Sequence, residues 1–120
     1  MAGAAYTGAM ATPDAFARYC AELLAPLGAV RIKRMFGGHG LYVDDVFIAI
    51  VQGETLYLKV DAQSLPPFEA EGCAPFTYAA QGRGRVTLGY RAAPAEAMDS
   101  PVLMRPWAML ALQAALRARS

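Results

Sequence analysis

Between Val30 and Val60 the apolar and β-branched residues come in short runs, each stopped by a pair that turns a chain sharply. Val30–Phe36 ends at Gly37-Gly38. Gly40–Val43 and Val46–Gln52 flank Asp44-Asp45, the spacing of a two-residue hairpin turn, and Gly53-Glu54 leads into Thr55–Val60. Connections this short join antiparallel neighbours, because a parallel pair needs a crossover of roughly a dozen residues or more. The segment is therefore an antiparallel meander and not a set of βαβ units. In Thr55–Val60, Leu56, Leu58 and Val60 alternate with Thr55, Tyr57 and Lys59, which predicts one buried and one wetter face. Val46–Val51 is apolar on both sides of its strand and asks for cover on both faces, from a central place in the sheet or from a dimer contact.

Helical patterns bracket the meander. Thr12-Pro13-Asp14 reads as a cap with proline at the first helical position. Phe16, Tyr19, Cys20, Leu23, Leu24 and Leu27 then recur at three- and four-residue spacing until Pro26 and Gly28. After Thr55–Val60, Pro66-Pro67 allows one short helical turn before Gly72. Two more strands are predicted at Phe76–Ala79 and Arg85–Tyr90, around the loose Gln81-Gly82-Arg83-Gly84. Pro94–Met98 reads as one turn, and Ser100-Pro101 opens a C-terminal helix over residues 102–119 that bends or restarts at Pro106. Trp107, with Leu103, Leu110 and Leu112, is expected to anchor that helix to the core. The expected fold is a two-layer α+β domain: an antiparallel sheet of about five to six strands with the N-terminal and C-terminal helices packed on one face. Residues 1–11 read as a mobile tail and residues 12–120 as a single domain.

Composition narrows the function classes. Eleven Lys and Arg against ten Asp and Glu leave a net charge of +1, without the cationic excess of most nucleic-acid binders or of a membrane-surface helix. One histidine and two isolated cysteines, Cys20 and Cys73, do not supply a zinc ligand set, and no cofactor is expected. The cysteines read as free thiols, Cys20 buried on its helix and Cys73 the more accessible. No apolar run is long enough to span a bilayer and the N-terminus lacks a signal-peptide pattern, so the cytoplasm is the expected location.

The most unusual stretch is Arg34-Met35-Phe36-Gly37-Gly38-His39-Gly40. Its glycines free the backbone for positive φ and for close approach of a ligand or another chain, which makes Arg34, Met35, Phe36, Gly37, Gly38 and His39 the candidate partner or ligand contacts. The stretch fits neither phosphate-binding glycine pattern, and its glycines precede a strand instead of a helix N-terminus. A tight connection or bulge between strands is the favoured reading, with His39 as a turn or surface residue. Arg31, Lys33 and Arg34 on the first strand, with Arg83, Arg85 and Arg91 around the last, would form a positive face for nucleic acid if those strands were neighbours; Arg31, Lys33, Arg34, Arg85 and Arg91 are the candidate contacts.

Taken together, RIKRMFGGHGLYVDDVFIAIVQGETLYLKVD, then PFTY, then VTLGYRAAPAEAMDSPVLMRPWAMLALQAA, resemble the N-terminal domain of the TfoX/Sxy family over about residues 13–118. The resemblance implies an α+β fold with an antiparallel sheet and no catalytic residues or cofactor. It also implies a bacterial, non-enzymatic role in transcription and competence regulation, exercised by contact with another protein. The C-terminal helical domain of the full-length regulators has no counterpart here, so a stand-alone module that contacts a partner or forms a homodimer is expected.

Overall fold

A computed structural model describes the chain over residues 13–35, 37–80 and 84–119. The capping role read for Thr12 and the tail at 1–11 lie outside the described residues. Helix α1 (Pro13–Leu24) passes through a 3-10 turn, Ala25–Leu27, into β1 (Val30–Met35). Strands β2 (Gly38–Val43), β3 (Val46–Gln52) and β4 (Thr55–Lys59) follow as consecutive hairpins. Short helix α2 (Leu65–Ala70) leads to β5 (Pro75–Ala80) and β6 (Gly84–Ala92). A 3-10 turn, Ala95–Asp99, then opens into α3 (Pro101–Ala118).

The strands form one antiparallel sheet in the order β1-β2-β3-β4-β6-β5. Asp44 and Asp45 carry positive φ values of 48° and 66°, as a primed two-residue turn requires. Asp44 also accepts the Ala29 N–H at 3.0 Å, which ties that turn to the start of β1. β6 joins β4 through Tyr57↔Ala92, Leu58↔Arg91 and Lys59↔Tyr90.

Both long helices pack on one face of the sheet. Phe16, Cys20, Leu23 and Leu24 of α1 and Met104, Ala108, Ala111 and Ala115 of α3 share a core with Leu41, Val43, Ile48, Ala49, Val51, Leu56 and Leu58. The register between β2 and β3 shifts near Leu41 and Tyr42, so Ala49 opposes Leu41 while Phe47 opposes Tyr42. The extra residue, Ile48, joins Ala49 in the helix-side core, and Phe47 falls on the other face. The helices thus cover one face of the apolar run in β3, while on the other face Ile50 is buried with Phe76 and Tyr90 and Phe47 stays half-buried.

Ser100 caps α3 by accepting the Leu103 N–H, with Pro101 at the first helical position. α3 does not restart at Pro106. The carbonyl that proline leaves without a donor is that of Val102, in the exposed first turn, where water can replace the bond. Trp107 packs on the core edge-to-face with Phe68, ring centroids 5.0 Å apart. Leu103, expected to anchor the helix, instead sits on its exposed side. At the far end of α3, Arg117 grips Asp61 with two hydrogen bonds of 2.7 and 2.9 Å, while Asp61 also accepts the Ser64 N–H just ahead of α2.

Candidate functional site

The glycine-rich stretch is a tight connection between β1 and β2. Met35 pairs with Gly38, Gly37 has a φ of +75°, and Phe36 lies outside the described residues. Arg34 and His39 oppose each other in the ladder, and both reach Asp14 in the first turn of α1. His39 Nε2 lies 2.8 Å from Asp14 Oδ1, and Arg34 Nη2 donates to Asp14 Oδ2 at 2.6 Å. His39 is only 6% exposed. The expectation of a turn or surface histidine is therefore corrected: residues 39, 41 and 43 share the helix-side face of β2, and the carboxylate of α1 gives the buried ring its partner. Asp14 carried only a capping-region meaning in the sequence, because its partners are 20 and 25 residues away.

The hydrogen bond with His39 and then that with Arg34 hold the Asp14 carboxyl below its ordinary value. Arg117 does the same for Asp61, more strongly. Carboxyls depressed in the folded state contribute stability in full above their unfolded value of about 4, and that contribution is lost as pH falls through the folded value. Urea midpoints are therefore expected to drop on acidification below about pH 4. The double variant Asp14→Asn/Asp61→Asn should be less stable at pH 6 and show a flatter acid limb. An unchanged limb in the variant would overturn this account.

Among the described residues the cations do not gather into one face. β1 is an edge strand and β6 lies beyond β4, so the two basic strands are not neighbours. Arg34 points to the helix side and is held by Asp14. Arg91 donates to the Cys73 carbonyl at 3.0 Å and lies 3.6 Å from Glu69. Arg31 lies over the Tyr42 ring at 4.3 Å and 3.5 Å from Asp45. By strand alternation Lys33 shares the open face with Arg31. Arg85 lies on β6, and its side chain is outside the described residues.

The side of the sheet turned away from the helices carries an aromatic bed. Tyr42 stacks on Phe47 at 5.0 Å, Phe47 meets Tyr90 at 6.1 Å, and Tyr57 meets Phe76 edge-on at 4.8 Å. Ile50, Phe76 and Tyr90 are buried in this second cluster, with Phe47 and Tyr57 half-buried against it. Lys59 lies over Tyr90 at 5.2 Å. Burial, reinforced by Tyr42, pushes the Tyr90 hydroxyl up to about 12. Met35 reaches the same bed: a Cβ on Gly40 would lie 2.6 Å from Met35 Cε and 2.8 Å from Phe47 Cε1. Alternation marked Tyr57 as facing the wetter side, but the strand order that brings Tyr90 and Phe76 beside it is not written in any local run.

Both cysteines are free and buried. Cys73, expected to be the accessible thiol, is 8% exposed, and burial raises its thiol along with that of Cys20. The Cys73 N–H bonds to the Phe68 carbonyl, which draws the loop against the core.

The sequence model of the TfoX N-terminal domain matches residues 22–115. Protein Sxy of Escherichia coli (strain K12) is 38% identical over 69 residues, a stretch covering 58% of this chain and 32% of Sxy. The chain thus aligns with about a third of that relative's length. The family match takes in every strand of the sheet and most of α3, but only the last turn of α1. The chain belongs to the TfoX N-terminal domain family, a regulatory family connected with competence.

Proposed function

We propose that this domain is a non-enzymatic regulatory module that acts by contacting another protein, in transcription and competence-type control. The observation that carries the reading is the aromatic bed on the open side of the sheet. Among the described residues the helices all pack on the opposite side, and Phe47 and Tyr57 are left half-buried. Partly exposed aromatic rings on a rigid sheet bring contact area at little cost in side-chain entropy, and such rings dominate protein interfaces. Size-exclusion chromatography with light scattering, paired with capture from a bacterial lysate, tests this. The wild-type chain is expected to self-associate or retain a partner, and Phe47→Asp to lose that association while keeping its circular dichroism spectrum. A strict monomer that retains nothing would sink the proposal.

A further inference from the structure

We propose that a cleft on the helix side of the sheet receives a lysine or arginine side chain presented by a partner protein. The cleft lies where α1, the 3-10 turn Ala95–Asp99 and the start of β4 meet, and its volume is about 310 Å³. Phe16 and Leu56, both buried, lie at its base, with Tyr19 and Met98 beside them. Tyr19 is fixed in place by donating its hydroxyl to the Met98 carbonyl. Glu54 and Asp99 stand exposed at the rim.

Charge selects the occupant. Asp14, Asp45, Asp61 and Glu69 each have an arginine partner, whereas Glu54 and Asp99 have no ion-pair partner among the described residues. The two rim carboxylates make the mouth of the cleft negative. An anion is repelled there. A metal ion would find two carboxylates over an apolar floor, far short of the oxygen shell that hard cations need. A long basic side chain matches both halves, its methylene stem lying on Phe16 and Leu56 and its charged head reaching the rim. The volume sits at the small end of ligand pockets, with room for one such side chain and the water around its head. Val102 and Leu103, 80% and 44% exposed, follow Asp99 within one turn of α3 and offer apolar contact to residues flanking that side chain.

This inference rests on the protein-contact reading but uses a surface on the opposite side of the sheet from the aromatic bed, so each can fail alone. The probe is Nα-acetyl-lysine N-methylamide, titrated into the full chain and followed by amide NMR. Saturable shifts are expected at Phe16, Leu56, Ala93 and Met98, with dissociation in roughly the millimolar range. The uncharged norleucine analogue should bind about fivefold more weakly, and Glu54→Gln/Asp99→Asn should weaken the lysine probe by about the same factor. Equal binding of the norleucine analogue, or unchanged binding by the variant, would overturn the proposal. So would saturable binding of free pentylamine without binding of the capped lysine, which would assign the cleft to a free amine. If the lysine probe fails while Phe47-dependent association persists, the cleft is wrong and the protein-contact reading stands.

Discussion

Replacing Phe68 with alanine is expected to remove about 3–5 kcal/mol of folding stability. The expectation follows from how little else holds α2. That helix has six residues, too few to persist alone in water, and Phe68 is its buried residue. The ring is fully enclosed and meets Trp107 edge-on, so its removal opens a cavity between α2 and α3 that the rigid sheet beneath cannot close. The Cys73 N–H also hangs on the Phe68 carbonyl, which carries the disturbance toward the start of β5. Trp107 is the chain's single tryptophan, so its fluorescence reports the site directly during urea unfolding. Its emission should shift to the red in folded Phe68→Ala, and the unfolding midpoint should fall at unchanged slope. A loss below about 1 kcal/mol would mean that the ring is not packed as described.

The second large effect is expected at Gly38. A Cβ there would lie 2.2 Å from the Val51 carbonyl oxygen and 2.6 Å from Gln52 Oε1. The first of these is backbone in the neighbouring strand, so relief requires β2 and β3 to separate at the His39↔Val51 pair. Gly38→Ala should therefore cost about 3 kcal/mol. Gly40→Ala is the internal control. Its added methyl meets the flexible tip of Met35 and the edge of Phe47, which can move, and about 1 kcal/mol is expected. Equal losses in the two variants would refute the close-approach explanation. Hydrogen exchange of the His39 and Val51 amides should quicken in Gly38→Ala and much less in Gly40→Ala. The glycines of this stretch thus answer to sheet packing, and any binding role of Arg34, Met35 or His39 has to work within that constraint.

The local half of the fold was legible in the residues. Hairpin pairs placed β3 at its observed limits and β4 within one residue, because a two-residue turn fixes register as well as position. α1 was readable from its spacing, although the last predicted turn tightens into a 3-10 turn at Pro26. What stayed hidden depends on distant partners. His39 looked like a turn residue because polar side chains beside glycines usually are, and only the docking of α1 brings Asp14 to it. Cys73 looked accessible because it follows a glycine in a loop, yet Phe68 draws that loop inward. The aromatic bed needed the strand order, since β6 pairs with β4 only after the chain has passed through α2 and β5. The acidic cleft gave no signal, because Glu54 and Asp99 are 45 residues apart and each looks like an ordinary turn residue.

The sheet is open-ended, and its two outer strands are poor templates for a seventh. β1 presents Arg31, Lys33 and Arg34 along one edge, so a strand of another chain laid there would have to bury or displace charged groups. β5 begins with Pro75, which has no N–H to offer. Such edges discourage runaway stacking of copies into fibres. They also weigh against strand addition at these edges and leave the two broad sides, with the rings and the cleft, as the surfaces free of that constraint.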